Sequence, residues 1–565
     1  MQIKHKAHYL IIITILIFTS LFFLFFSLNN LHLPGLNDEE AMIGTCAFPL
    51  LGLGNPGMFV TSKVAGLELA GLELPLMYHP YHSSSAAYLI FPFLYFGGIS
   101  VETIRFSSIF YGFLTLFYFY LFIRSVSKDT YLPALSVLLL GTHPTFILGI
   151  RKGWWHSSSV LLLEFIGLFL IAQWLKKRKI SLFYSGIFFL GLSVSIHTSQ
   201  IFFIFTLSLI AIIACILHIF SIKGLSYHKL AAAFILFLLS NILLIAGNVL
   251  NNDYQTVKIF AAQFKKVNTI ESNYAQKLGE RIRNLSALIN GSVYQKEEFQ
   301  EASTVPVDAV DAIGLADLIT RNSIYTFFFI LSIIYFLYYL FRYKCADISI
   351  LILTGIILYM LISPYTLSTI SHNHIFPLFP FTILLITLLL RKAYDMRIIK
   401  YAVPAVFAFI IANNSLTMGQ YHDFISKTGG TNTSSSAVYD LSEWLLENNI
   451  TDSLTVDWGL HYNLTFLTQG RHKTRYYSRD LSDFGRILGK NSADTVLIDF
   501  LSSHDKKLIC IIRSNSLNLV PVQRAVKSGD MIMTLIKQFY EYNGIPLYNI
   551  YSISKANEQS SYIQK

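Results

Sequence analysis

Charge is scarce in this chain. Only 13% of its 565 residues are Asp, Glu, Lys or Arg, against roughly 25% in an ordinary soluble domain. Half the usual density cannot cover a water-facing surface of this size, so a soluble globular protein is excluded. Cysteine is scarcer still. Cys46, Cys215, Cys345 and Cys510 stand far apart, with neither the short spacing of a metal cluster nor the density of a disulfide framework. No segment repeats another. Nor is there a matched pair of Gly/Pro-broken hydrophobic segments, the mark of transporters built from inverted repeats.

What fills the chain is apolar: 53% hydrophobic residues and a mean hydropathy of +0.52. Several stretches run about 16 to 22 residues with hardly a charge, the length that crosses a bilayer core. The net charge of +10 would suggest nucleic acid in a soluble protein. Here Lys and Arg fall in short links between apolar runs, as orientation by cytoplasmic positive charge predicts. The basicity therefore reads as topology, and no nucleic-acid partner is implied.

The first apolar run, 9–28, follows Lys4-His-Lys6. It is too long for a signal-peptide core and no small-x-small cleavage site follows, so it reads as an anchored helix with a cytoplasmic N-terminus. Ten more spans are expected near 103–123, 131–149, 158–175, 180–197, 200–220, 229–250, 323–341, 348–364, 374–390 and 400–418. Alternation then places Arg124 to Lys128, Lys176 to Lys179, Lys223 to Lys229, Arg342 to Lys344 and Arg391 to Lys400 inside. Residues 85–97 are apolar but short, with Pro92 among them. They suit a juxtamembrane or re-entrant helix better than a span, and counting them as one would invert every later loop.

The fold class that follows is an α-helical polytopic membrane protein of about eleven transmembrane helices with a small extramembrane α/β domain at the C-terminus. The membrane part occupies 1–418 and the soluble part 419–565. The outer face receives a first loop, about 30–102, with Asp38, Glu39, Glu40, Glu68, Glu73 and Glu102 against a lone Lys63. It also receives the basic aromatic turn 150–157 and the long loop 251–322. Within that long loop Leu278, Ile282, Leu285 and Ile289 stand at helical spacing, the pattern of an amphipathic helix on the membrane surface. In the tail, Gly429 to Ser436 reads as a linker, 440–447 as a helix, and 453–458 and 495–500 as strands.

Four clusters on the outer side can carry chemistry, and each has a plainer reading. Asn37-Asp-Glu-Glu40 can supply a general base or a metal ligand, or it is the capped first turn of a helix. His79 and His82, three apart beside the first-loop acids, can share a divalent cation, or they are interfacial hydrogen-bond partners. Arg151 and Lys152 with Trp154, Trp155 and His156 offer a lipid phosphate a forked donor and a point charge, or they form an interfacial belt. Ser371-His-Asn-His374 can bind phosphate or sugar hydroxyls, or cap the tenth span. Glu164, His197 and Asn241 are polar groups inside apolar runs; an intramembrane acid is a functional suspect, or it pairs within the bundle.

In order and spacing these residues resemble the GT-C superfamily of membrane glycosyltransferases. The likeness is to the branch with the protein O-mannosyltransferases and the transferase that adds aminoarabinose to lipid A. It covers most of 30–220 and, more loosely, 370–390. It runs through Asp38-Glu39, Gly54-Asn-Pro-Gly57, the short apolar segment, Gly98 to Ser108, Thr142 to Phe146, Gly149 to Lys152, Gly191 to His197 and Phe376 to Pro380. Val456 to His461 looks like the tail of bacterial homologues with unassigned acceptors.

The resemblance implies an active site on the outer side and a sugar passed from a polyprenyl-phosphate donor to an acceptor hydroxyl on a glycan, lipid or protein, with inversion. Asp38 matches the general base and Glu39 its neighbouring acid. Arg151, Lys152 and His374 are the candidates for donor phosphate. The family's later first-loop acid has no counterpart, with His79 or His82 nearby, and His156 stands about where some relatives carry an acid after the third span. A divalent metal is thereby left open. The alternative is a transporter or flippase of lipid-linked sugars, which shares a phosphate groove and needs no base.

Overall fold

The computed structural model describes residues 2–54, 65–79, 82–153, 158–216, 225–250, 256–258, 274–293, 323–343, 348–365, 372–457, 459–476, 501, 508–516, 519–542 and 544–555. The chain opens with a long apolar helix, α1 (Gln2–Leu28), then a short one, α2 (Asp38–Cys46). An antiparallel three-stranded sheet follows, β1 (Ala65–Leu69), β2 (Leu72–His79) and β3 (His82–Ser83), in the order β1-β2-β3. The membrane bundle continues with α3 (Ser85–Gly97), α4 (Val101–Val126), α5 (Leu132–Thr142), α6 (Pro144–Arg151), α7 (Ser159–Lys177), α8 (Ile180–Ile196) and α9 (Gln200–Ile216). After these come α10 (Tyr227–Ser240), α11 (Ile242–Leu250), α12 (Tyr274–Asn290), α13 (Ser323–Tyr343), α14 (Ile348–Ile362), α15 (Phe379–Tyr394) and α16 (Ala402–Thr428).

Among the described residues seven helices are long and apolar enough to cross a membrane: α1, α4, α7, α13, α14, α15 extended back to His372, and α16. Two bent pairs, α5 with α6 at 61° and α10 with α11 at 63°, can each make one further span. Helices α8 and α9 have 17 residues each, about 25 Å at 1.5 Å per residue, slightly short of the ~30 Å hydrocarbon core. Helices thus fall at all eleven segments read from the sequence, and among the described residues seven to nine of them are long and apolar enough to be spans. Helix α3 has 13 residues and contains Pro92, the short non-spanning element expected there.

The bend between α5 and α6 has a local cause. Pro144 cannot donate an amide proton to the preceding turn, and His143 leaves the helical region at φ −72° and ψ 128°. Its Nδ1 then accepts from the Thr145 amide at 3.1 Å and caps α6. With Nδ1 an acceptor, Nε2 carries the proton and donates to the Ile289 carbonyl at 3.0 Å; Thr145 Oγ1 donates to Leu288 O at 2.7 Å. These bonds fasten the end of α12 to the bend.

Helix α12 exists where the periodicity predicts it, but it is turned differently. Arg281, Leu285, Leu288 and Ile289 are buried, whereas Ile282 is 56% exposed. The helix packs into the main core of the bundle instead of lying on its rim. The 278/282/285/289 and 278/281/285/289 faces differ by one position, and an arginine at 281 makes the true one look polar.

The tail forms a mixed sheet of β4 (Asp452–Thr455), β5 (Lys473–Tyr476), β6 (Leu508–Arg513), β7 (Met531–Tyr540) and β8 (Pro546–Lys555), ordered β5-β4-β6-β8-β7. Strand β4 is parallel to β5 and β6, and the other pairs are antiparallel. Successive side chains of a strand point to opposite faces. Cys510 and Ile512 therefore pack with α19 (Leu519–Ser528), while Ile511 packs with α17 (Ala437–Glu447) and α18 (Leu460–Leu467). Helix and first strand fall close to their expected positions; the strand expected at 495–500 lies outside the described residues.

Candidate active site

The site is built around the start of α2. Asn37 is extended and accepts from the Glu39 amide at 2.9 Å, while Glu40 Oε2 accepts from the Asn37 amide at 3.0 Å. This is a capping box, in which the cap residue and the third helical residue satisfy each other's orphan donors. The capping reading of the acidic cluster thus falls on Asn37 and Glu40. Asp38 and Glu39 are half-buried between them.

Glu40 has a second task. It is fully buried and forms a forked pair with Arg105 of α4, Nε to Oε1 and Nη2 to Oε2, both 2.9 Å. The other guanidinium bonds go to backbone carbonyls of the preceding turn: Nη1 to Leu31 at 2.6 Å and Pro34 at 2.9 Å, Nη2 to Gly35 at 3.2 Å. Paired, bidentate and hydrogen-bonded on its remaining donors, the arginine meets the conditions under which a buried charge is tolerated. Its effect is to clamp residues 31–40 onto the second span and fix where α2 begins.

The two cations at the end of α6 part company. Arg151 is fully buried, and its guanidinium donates to carbonyls where α1 ends: Nη1 to Ser27 at 3.2 Å and to Asn29, Nη2 to Leu33 at 2.6 Å and to Asn30. A helix C-terminus leaves its last carbonyls unsatisfied and carries partial negative charge, so this cation caps the first span. Lys152 is also buried but lies within electrostatic reach of His372. Between Lys152 and α2 sits Gly153 at φ +65°; a methyl there would lie 3.2 Å from Glu40 Cγ. The Lys152–Gly153 turn therefore joins the acidic helix to the histidines of the tenth span.

Those histidines form a cluster. The His82 ring lies 4.2 Å from His197, which lies 5.1 Å from His374, and Tyr78 stacks on His82 at 5.8 Å. The His374 carbonyl accepts from Tyr359 Oη at 2.6 Å. Around that hydroxyl, within electrostatic reach, are Glu164 and the buried Arg281. Neither carboxyl oxygen of Glu164 has a hydrogen-bond partner among the described residues. Asn241, by contrast, donates to Gly191 and Phe237 carbonyls and ties helices together. The backbone of His79 pairs with His82; His156 lies outside the described residues. Among those residues no group of three or more His, Cys, Asp or Glu is placed to hold a metal.

Of the residues read from the sequence, His82, His197 and His374 come together ring to ring, Glu164 lies within electrostatic reach of Tyr359, Lys152 within that of His372, and Asp38 and Glu39 stand in the first turn of α2. Reading the sequence missed Arg105 as the clamp and Arg281 as a buried cation. Arg105 carried a signal, being an arginine four residues into an apolar span where an isolated charge is costly.

No protein-family model and no curated protein matches the chain. Solved structures do. ArnT from Cupriavidus metallidurans in the apo state superposes with a TM-score of 0.57 at 10% identity over 95% of this chain and 97% of that one. The same protein bound to undecaprenyl phosphate gives 0.57 at 10% identity over 96% and 98%. The oligosaccharyltransferase AglB from Archaeoglobus fulgidus, in complex with an inhibitory peptide and a dolichol-phosphate, gives 0.51 at 12% identity over 93% and 72%. The fold is that of the GT-C membrane glycosyltransferases. The chain is a multi-pass membrane protein of that architecture along essentially its whole length.

Proposed function

We propose that the chain is a glycosyltransferase that moves a sugar from a polyprenyl-phosphate donor to an acceptor hydroxyl on the outer face of the plasma membrane. Its N-terminus is then cytoplasmic and the tail from about 419 extracytoplasmic. The observation that carries the reading is the division of labour at 37–40: Asn37 and Glu40 make the cap, Glu40 and Arg105 make the clamp, and Asp38 stands half-buried in the same first turn. The undecaprenyl phosphate bound to ArnT and the dolichol-phosphate bound to AglB support a lipid-linked donor.

The acceptor hydroxyl attacks the anomeric carbon on the face opposite the phosphate, and Asp38 takes its proton. The bond from that carbon to the phosphate oxygen breaks, its electron pair leaves with the polyprenyl phosphate, and the configuration inverts. Lys152 and His374 meet the phosphate, with Arg281 as a further cation beside Tyr359, so positive charge is in place where negative charge develops. Glu39 shapes the field at Asp38. Arg151 serves by holding α1 and the turn before α2.

Binding of undecaprenyl phosphate to the purified protein separates the two neighbouring cations. Lys152→Ala removes a charge-assisted contact of about 1.5–3 kcal/mol and weakens binding about ten- to a hundredfold. Arg151→Ala orphans several carbonyls and lowers the unliganded melting temperature first. Binding by Lys152→Ala within about twofold of wild type would remove Lys152 from the donor site.

A further inference from the structure

The tail bears directly on Asp38. Gly459 precedes α18 with φ +84°, a conformation that L side chains rarely adopt. A methyl group built on it would lie 2.5 Å from Asp38 Cγ and closer still to Cβ and Oδ2. Those are the root atoms of the carboxylate, which cannot swing aside as the end of a long side chain can. Only a residue without a Cβ lets the chain pass this close.

The approach is held from several sides. One turn into α18, Asn463 Nδ2 donates to the Leu36 carbonyl at 2.9 Å, two residues before Asp38. Tyr439 of α17 donates to His32 O at 2.7 Å. At the other end of α2, a methyl at Gly44 would sit 2.5 Å from the Phe466 ring. The turn that carries Gly459 is anchored to the sheet by Asp457, whose Oδ2 accepts from the Arg513 amide at 2.6 Å and whose Oδ1 accepts from the Ser516 hydroxyl.

We propose that Gly459 is a positioning residue for Asp38: the extramembrane tail, through Asp457 and Gly459, sets where the catalytic carboxylate points. The inference rests on Asp38 being the base. The tail is then part of the active site, and whatever displaces its sheet displaces the carboxylate.

The test is Gly459→Ala in the full-length protein, with Gly544→Ala as its control. Gly544 has a similar positive φ, +77°, but nothing within 4 Å of the added methyl, so it shares the left-handed φ without the collision. Misplacing a reacting group by about 1 Å costs on the order of 10²-fold in rate. Gly459→Ala is expected to lower turnover of an undecaprenyl-phosphate sugar ten- to a hundredfold at saturating donor and to shift the acidic limb of the pH–rate profile. Undecaprenyl phosphate binding stays within twofold, and Gly544→Ala changes none of these.

Equal turnover in the two alanine variants overturns the proposal. If Gly459→Ala does not fold, Asn463→Ala decides: a several-fold fall in turnover with binding intact supports it, and wild-type turnover overturns it. A fully active Asp38→Asn enzyme would instead remove the base itself, a different failure from a Gly459→Ala enzyme that works as well as wild type.

Discussion

Glu40→Gln is expected to lower the stability of the end of the bundle that carries α2 by about 3–5 kcal/mol, the range for breaking a buried ion pair from one side. The reason is the partner left behind. Arg105 is 1% exposed and its pair with Glu40 is bidentate, so neutralising the acid leaves a guanidinium charge inside the bundle. The same change weakens the capping box, because a side-chain amide must turn its oxygen toward the Asn37 amide and away from Arg105. A melting transition several degrees lower in detergent is the expected readout, with lost activity following from the loosened 31–40 turn. Glu40→Gln combined with Arg105→Met removes both charges and should recover part of the loss. A Glu40→Gln protein that melts with wild type would mean that the pair is not what fixes α2.

Asp38→Asn is expected to do the reverse: little to stability and a great deal to rate. Asparagine keeps the size of the side chain, and the cap made by Asn37 is untouched. What disappears is the basic lone pair, and a positioned general base contributes about 10² to 10⁴ in rate. Turnover at saturating donor should fall by that factor while undecaprenyl phosphate binding stays near normal. Glu39 is the neighbouring acid and takes no proton in this account, so Glu39→Gln should cost less than Asp38→Asn. Near-wild-type turnover in Asp38→Asn would move the base to Glu39, since Glu40 is committed to Arg105.

The membrane architecture was legible because a bilayer imposes length. Residues 103–123 and 374–390 could be read as spans, and 85–97 set aside, from counting apolar residues alone. The acidic start of α2 was legible too, since Asn37 and Glu40 have capping-box spacing. The direction of a long side chain was not. Arg151 and Lys152 are adjacent and equally basic, yet Arg151 turns to the carbonyls where α1 ends while Lys152 lies within electrostatic reach of His372. Arg281 was hidden for the opposite reason, because a cation on an amphipathic helix reads as its wet face. Gly459 lies in the 456–461 stretch that the resemblance covers, but its task was not legible: one glycine in a turn says nothing until Asp38, more than four hundred residues earlier, is found beside it.

The most direct test of the account is donor turnover. Purified wild-type protein is incubated with a panel of radiolabelled polyprenyl-phosphate sugars and extracted membrane acceptors, and label is followed from the lipid-phosphate fraction. The account predicts that at least one donor loses its sugar to an acceptor, that undecaprenyl phosphate accumulates in equal amount, and that Asp38→Asn slows this by about 10² or more. Donors that bind, or cross the bilayer in proteoliposomes, with every sugar still attached to its phosphate would contradict it.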